Sequence, residues 1–428
     1  MIDLFKIMRL MGYPVSQAKR EYSTIQKQND LKVWQTQKRW ELIKYHFDNN
    51  PYYRLRVGEI PQEWEDLPVL KKSDLQGDFL SKVPPVFREK DLYISNTSGS
   101  SGQPFFFAKD KLTHVLIWLN VEAHYRNAGI SINDKQARFY GIPLNKKSLI
   151  RERIKDVFAN RYRFLVFNLE EKILHQWICK FRKTPFKFIY GYTNSLVVFA
   201  KYLIQLDIVL KDVCPTLKIC IVTSELCVDE DQVLLEKAFG IKIFNEYGAS
   251  ELSVIGFKKG EYWVVSDEVV YLEVLDENDQ PVEEGTVGKL VCTLLHNRAT
   301  PIIRYEIGDL ASISEKNGRT YITHLAGREN ELAELPSGRK VPGFTFYYVV
   351  RSILEQSDFM KEYRIVQLSK SLFEIQVVSE REVSNDVELI IQRSFDKYLE
   401  SGLQVQLKTV ESIDRSGNGK FKHFISMV

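Results

Sequence analysis

The chain has 428 residues, 44% hydrophobic and 27% charged, with 59 basic against 56 acidic side chains for a net charge of +3. That length predicts two or three domains, or one large domain with a smaller one, and the near-neutral balance supplies no global field for nucleic acid. Five cysteines without a C-x-x-C pair read as buried thiols of a reducing compartment, and seven histidines without metal-ligand spacing argue against a His/Cys metal.

The start, M-I-D-L-F-K-I-M-R-L, is interrupted by Asp3, Lys6 and Arg9 and lacks the basic-then-apolar order of a signal peptide. Helical spacing of apolar residues predicts a helix over Gln17 to Asn50, which Pro51 stops. L-P-V-L-K-K-S-D-L (Leu67 to Leu75) predicts a loop and a short Ser-capped helix.

A strand, the Ser/Gly run N-T-S-G-S-S-G-Q-P-F (Asn96 to Phe105) and a second apolar strand then follow in hairpin order. By composition alone, that run is a linker or turn. Q-A-R-F-Y-G, K-F-I-Y-G-Y, L-K-I-C-I-V-T-S and I-K-I-F-N-E-Y-G are short β-rich segments separated by helical patterns, which predicts α/β layers with a largely parallel sheet. Between them, R-E-R-I-K-D-V-F-A-N-R-Y-R (Arg151 to Arg163) reads as a solvated helix face or as a patch for a polyanionic cosubstrate. The longest apolar stretch, Ser195 to Leu210, carries Lys201, Gln205 and Asp207, so it predicts an amphipathic or buried helix rather than a membrane span. Tyr262 to Thr323 reads as β-rich hairpins, and a fresh α+β alternation begins after Arg328.

Several short elements could carry chemistry. The Ser/Gly loop is neither a Walker A motif nor G-x-G-x-x-G, but Thr97, Ser98, Ser100 and Ser101, with Gly99 and Gly102, offer donors and close backbone approach to a polyphosphate. N-E-Y-G-A-S-E-L (Asn245 to Leu252) sets an aromatic face beside Glu251, a carboxylate suited to Mg²⁺; the plainer alternative is a strand-to-helix turn with an exposed Glu. P-I-I-R-Y-E-I-G-D-L (Pro301 to Leu310) sets Arg304 and Asp309 around a turn at Gly308. An Asp there could accept ribose hydroxyls, or the segment could be a plain β-turn. L-A-G-R-E-N-E-L (Leu325 to Leu332) and S-G-N-G-K-F-K (Ser416 to Lys422) complete the series.

In this fixed order, T-S-G-S-S-G-x-P, Y-G-x-S-E, P-I-I-R-Y-x-x-G-D, G-R and a final G-x-G-K, the chain resembles the adenylate-forming superfamily of acyl-CoA ligases, luciferase-like enzymes and peptide-synthetase adenylation domains. N-P-Y-Y-R, L-P-V-L-K-K-S-D-L and P-I-I-R-Y are similar to the phenylacetate-CoA ligase family, nearest its capsular-polysaccharide biosynthesis branch. The resemblance implies an α/β fold: a layered adenylation domain over residues 1–326, with a β-rich subdomain at about 262–326, and a small mobile α+β lid domain over 327–428.

It further implies that Thr97, Ser98, Gly99, Ser100, Ser101 and Gly102 wrap the ATP phosphates, Ser98 among the catalytic set. Tyr247 would stack on adenine beside Gly248 and Ser250, with Ser224 and Glu225 lining the same ring. Glu251 would ligate Mg²⁺, Asp309 would bind the ribose with help from Arg328, and Lys420 would bridge the attacking carboxylate and the α-phosphate. Tyr190, Tyr192 and Phe244 would flank the acid, or serve as core aromatics. Two positions depart from the family pattern: Gln103 stands where a Lys is usual, with Lys109 or Lys111 as substitutes, and Asn330 where a hinge Asp is usual.

The implied activity is activation of a small carboxylic acid by Mg-ATP and acyl transfer, most simply to the thiol of CoA. The alternatives are transfer to an amine or hydroxyl acceptor in surface polysaccharide synthesis, and a non-catalytic nucleotide-binding scaffold. The expected location is cytoplasmic, with no nucleic-acid partner, no integral membrane segment, and a homodimer among the expected assemblies.

Overall fold

The computed structural model describes residues 3–96, 105–141, 146–166, 169–225, 227–328, 332–343, 345–346, 349–350, 360–379, 385–414 and 421–428. The chain divides into two compact units, Met1–Ile307 with Ala311–His324, and Gly308–Leu310 with Leu325–Val428.

Leu4–Leu10 (α1) opens the first unit. The single helix expected over Gln17 to Asn50 is two, Val15–Ile25 (α2) and Leu31–Asn49 (α3), because the Asp30 side chain accepts from the N–H groups of Lys32 and Val33 and starts a new helix. Pro51 does not only stop α3. It begins Pro51–Val57 (α4), whose first turn is capped by the Asn50 side chain accepting from Tyr53. The short helix Lys72–Leu75 (α5) contains Ser73 rather than being capped by it; the Asp74 carboxylate accepts from the Lys71 N–H instead. Just before it, Leu70 pairs with the chain at Tyr305, so this segment is tied into the sheet.

Strands Leu92–Asn96 (β1) and Phe106–Asp110 (β2) form the expected antiparallel hairpin. Asp110 then caps Lys111–Asn127 (α6) by accepting from the Thr113 N–H. The α/β alternation follows: Gln136–Phe139 (β3), Lys146–Phe158 (α7), Arg161–Phe164 (β4), Glu171–Lys183 (α8), Phe188–Tyr192 (β5), Thr193–Gln205 (α9), Leu210–Val213 (α10), Ile219–Thr223 (β6), Asp229–Phe239 (α11) and Lys242–Ala249 (β7). The remaining strands of this run are Ser253–Lys259 (β8), Tyr262–Val265 (β9), Val270–Leu275 (β10), Gly288–Leu294 (β11), Tyr305–Lys316 (β12) and Arg319–Arg328 (β13).

Among the described residues these strands form one sheet in the order β10-β11-β12-β13-β9-β8-β7-β6-β5-β3-β4. Strands β4, β3, β5, β6 and β7 are parallel, and β7, β8 and β9 are antiparallel.

The parallel strands are covered on both faces, as helical crossovers require. Phe139, Ile189, Cys220, Val222 and Ile243 pack against apolar residues of α8, α9 and α11. Residues of opposite parity, Phe188, Ile219 and Ile221, pack against Val121 and Tyr125 of α6. Helix α8 buries Leu174, Trp177, Ile178 and Phe181, the i, i+3, i+4, i+7 stripe of an amphipathic helix. The apolar stretch from Ser195 supplies α9, and among the described residues no helix is long and apolar enough to cross a membrane. In the basic stretch from Arg151, Arg161 and Arg163 are paired with Asp156, and Arg163 also with Glu152, so these arginines form an internal ion network rather than an open basic patch.

The second unit holds the hairpin Leu332–Glu334 (β14) and Lys340–Pro342 (β15). A four-stranded sheet follows, in the order β18-β17-β16-β19, from Met360–Gln367 (β16), Leu372–Ser379 (β17), Gln404–Thr409 (β18) and Phe424–Ser426 (β19). Its core is aromatic: Phe346 packs at 4.7 Å from Phe373 and 5.4 Å from both Phe395 and Phe424.

Gly191 is a close-approach position in β5. A Cβ there would lie 2.5 Å from Phe139 Cβ and 2.7 Å from its carbonyl oxygen. Gly191→Ala is therefore expected to destabilise the first unit by roughly 1–3 kcal/mol, as overpacking does, measured as a lowered denaturant midpoint at unchanged slope.

Candidate active site

The segment N-E-Y-G-A-S-E folds as the end of β7 and a tight turn into β8, a strand–turn–strand unit. The strand-to-helix turn and the exposed Glu are both overturned, since Glu251 is only 6% exposed. Pairing between β7 and β8 shifts register between Tyr247 and Gly248. At Gly248 a Cβ would sit 2.3 Å from the Ser253 carbonyl oxygen, so glycine is needed for this backbone approach.

Two side chains from outside hold the turn. Lys109 of β2 donates from Nζ to the Ser250 carbonyl at 3.1 Å, and the Tyr305 hydroxyl donates to Glu251 Oε1 at 3.1 Å. Strand β2 is itself clamped: the Ala108 N–H donates to Thr300 Oγ1 at 2.9 Å, and the Arg298 N–H donates to the Asp110 carboxylate at 2.9 Å. The strand that carries Lys109 therefore has a fixed position beside the turn.

On the other side of β7, the in-register parallel strands build two rows of side chains. Arg138, Tyr190, Ile221 and Phe244 are neighbours across β3, β5, β6 and β7, and Tyr192, Thr223 and Glu246 form the next row toward the strand ends. Tyr140, just past β3, stacks on Tyr192 with ring centroids 4.1 Å apart and lies 5.7 Å from Tyr190. The Tyr190 hydroxyl donates to Glu246 Oε1 at 2.7 Å. Of the three aromatics singled out from the sequence, Tyr192 is buried, whereas Tyr190 and Phe244 are partly open. Sequence reading missed Arg138, Tyr140 and Glu246. Their signal was parity: Ala137 and Phe139 go to one face of β3, which sends Arg138 and Tyr140 to the other.

Ser224 follows β6 in the left-handed region, φ 69°, with Oγ 3.2 Å from the Tyr140 hydroxyl. Glu225 turns its carboxylate to the start of α9, where the Asn194 N–H donates to Oε2 at 2.8 Å. Arg304, expected beside a Gly308 turn, instead precedes β12. It is fully buried, pairs with Glu273 at 3.2 Å and donates to the carbonyls of Glu65 and Leu67. Gly308 and Asp309 lie within β12, so no turn forms there. Asp309 and Arg328 of the second unit are brought together as an ion pair at 3.4 Å. Thr97, Ser98, Gly99, Ser100, Ser101, Gly102, Gln103, Asn330 and Lys420 lie outside the described residues.

No family model matches the chain. The chain is 25% identical over 319 residues to a phenylacetate-coenzyme A ligase of Pseudomonas putida, covering 69% of each chain. It is 22% identical over 343 residues to Protein CapK of Staphylococcus aureus, covering 73% of this chain and 71% of that one. A 2-hydroxyisobutyryl-CoA ligase structure in its postadenylation state shares the fold, with a TM-score of 0.68 at 19% identity over 91% of this chain and 88% of that one. These similarities support a place in the adenylate-forming superfamily, beside the phenylacetate-CoA ligases. The chain is an ATP-dependent ligase that forms an acyl- or aryl-adenylate.

The electrostatics of the ligase fit that chemistry. Burial pushes the Lys109 ammonium down to about 8, against the pull of Glu251, so the amine is charged at neutral pH yet poorly hydrated. Among the described residues no cluster of three or more His, Cys, Asp or Glu could hold a metal alone. The single carboxylate of Glu251 suits Mg²⁺, which is commonly held by one or two carboxylates together with substrate phosphates.

Burial raises the Glu246 carboxyl to about 7, although the Tyr190 hydrogen bond and Arg138 pull it down. The folded state thus favours protonated Glu246. The stability this gives is complete below the ordinary 4.5 and is lost as pH rises through about 7. Glu246→Gln, which mimics the neutral form, is expected to become increasingly more stable than the parent protein between pH 5 and pH 8, by up to roughly 3 kcal/mol in denaturant unfolding. A constant difference across that range would exclude titration of this group.

Proposed function

We propose that the ligase adenylates a small carboxylic acid and passes the acyl group to the thiol of CoA, releasing AMP after pyrophosphate. The observation that carries this reading is the Tyr247–Glu251 turn, fixed by Lys109 and Tyr305 beside a row of polar and aromatic side chains at the strand ends. In parallel α/β sheets, ligands bind outside the carboxyl ends of the strands.

In this reading the acid needs no general base, because its carboxylate is already a competent nucleophile. Positioning and charge neutralisation supply the catalysis. Tyr247, Gly248, Ser250, Ser224 and Glu225 form the adenine side, and Thr97 to Gly102 receive the phosphates. Asp309 accepts from the ribose, and Arg328, paired with it, orients its carboxylate. Lys420 bridges the reacting carboxylate and the α-phosphate, and the unit from residue 327 acts as the lid. Glu251 would hold Mg²⁺, which when bound neutralises phosphate charge. Lys109, buried at 3% exposure beside Glu251, provides the fixed positive charge that Gln103 does not.

A second reading rests on the similarity to Protein CapK and on motifs similar to the capsular branch. There the same adenylate is delivered to an amine or hydroxyl of a surface-polysaccharide precursor. Both readings suit a cytoplasmic enzyme, and a homodimer is compatible with either.

Acid-dependent exchange of labelled pyrophosphate into ATP tests the first half-reaction, and product mass after adding CoA or candidate amines separates the acceptors. A thioester supports the first reading, and an amide or ester formed without CoA supports the second. Lys420→Ala is expected to abolish exchange while retaining ATP binding; full activity would remove that residue from the mechanism. Lys109→Met, close in volume, is expected to raise the KM for ATP roughly 10- to 100-fold, the scale of a lost charged hydrogen bond, with little change in the KM for the acid. An unchanged KM for ATP would leave Lys109 as a tether of the turn alone.

A further inference from the structure

Arg138 is a half-buried cation that lacks a polar partner among the described residues. Its guanidinium lies 4.3 Å from the Tyr140 ring centroid and 4.8 Å from that of Tyr190, held between two aromatic side chains. Its Nε is sealed from solvent without a hydrogen-bond partner. Among the described residues, its side chain donates no hydrogen bond and no carboxylate lies within ion-pair distance. The nearest acids act only at longer range: Asp156 is committed to Arg161 and Arg163, and Glu246 accepts from Tyr190.

The buried arginines show how this fold meets a guanidinium internally. Arg163 is met by Asp156 and Glu152, and Arg304 by Glu273 and two carbonyls. Arg39, also packed on two rings and also with an unpartnered Nε, still donates from a terminal nitrogen to Thr36. Arg138 has the rings without the acceptor. A planar fork of donors, fixed by ring contacts and stripped of much of its water, is matched to a carboxylate or similar oxyanion.

We infer that Arg138 receives a second oxyanion group of the acid that the ligase activates, so that the preferred substrates are dicarboxylic acids or acids bearing a sulfonate or phosphonate. This rests on the adenylation reading above, and it adds the substrate class. The remaining side chains agree with it. Tyr140, Tyr190 and Phe244 give an apolar lining of flat rings, and Ile221 lies in the same row. Glu246 cannot serve as the internal counter-ion, because it lies beyond ion-pair distance from Arg138 and is bonded to Tyr190. An acid with a neutral tail would leave the guanidinium desolvated and unmatched, which disfavours binding more strongly than a missing contact alone.

The test measures kcat/KM for pyrophosphate exchange with matched pairs: butyrate against succinate, valerate against glutarate, and phenylacetate against (4-carboxyphenyl)acetate. Sulfoacetate and phosphonoacetate report whether other oxyanions are accepted in place of the carboxylate. Binding of each acid to the full chain is measured separately by calorimetry without ATP, so a failed adenylation reading and a failed Arg138 assignment give different results.

The parent enzyme is expected to prefer the doubly anionic member of at least one pair by 10-fold or more. Arg138→Gln is expected to lose that preference, by a fall in kcat/KM for the doubly anionic acid and a rise for the monoacid, with the KM for ATP unchanged; Arg138→Lys should retain part of it. A parent enzyme that prefers or binds only the neutral-tailed acids overturns the inference, whether or not the variants fold. So does an Arg138→Gln variant that loses activity equally on both members of each pair, or mainly through the KM for ATP.

Discussion

The alignment of β3, β5, β6 and β7 in one parallel register is the constraint on which the rest of this site depends. Side chains of one parity must enter the core beneath α8, α9 and α11, and those of the other parity must meet α6. A slip of one residue in any strand would exchange these sets. Because Phe188, Ile219 and Ile221 seal the lower part of the second face, residues further along the same strands are carried toward its open end, where Tyr190, Thr223 and Glu246 stand. The site is what remains when a two-sided hydrophobic sheet runs out of helix to cover it.

That logic also accounts for the two ways charge is handled. Arg163 and Arg304 are buried with carboxylates at hydrogen-bond distance, so their charges are matched within the chain. Lys109 and Glu251 are held by neutral groups, a backbone carbonyl and a tyrosine hydroxyl, with each other's charge nearby. The first arrangement locks structure. The second keeps charge in a dry place where a highly charged ligand would meet it with little competing water.

Much of this was legible in the sequence. The α/β alternation and the β1–β2 hairpin follow from apolar runs and turn residues. What the sequence concealed was tertiary. Glu251 looked exposed because nothing local shows that Tyr305, 54 positions away, would cover it. Ser73 looked like a cap because Ser is a good one, yet Asp74 takes that role from inside the helix. Arg304 was expected around a turn at Gly308 because of its motif, while its partners Glu65, Leu67 and Glu273 are distant in sequence. Arg138 was hidden in a run that scores as plain strand, and only the pairing of β3 with β5 sets it against Tyr190.

Helix α6 joins the two halves of the site in a way that neither half reveals alone. It starts at the Asp110 cap, one residue after Lys109, and runs 17 residues to Asn127, about 25 Å of rigid backbone at 1.5 Å per residue. Near its far end it presents Tyr125 to the Glu246 carboxyl. The helix is therefore a strut from the Lys109 end, proposed for the nucleotide, to the Glu246 end, proposed for the acid. A tilt of the strand that positions the buried amine would be passed along this helix to Tyr125, beside Glu246. Mechanical coupling of this kind would let the two substrates sense one another through a single helix.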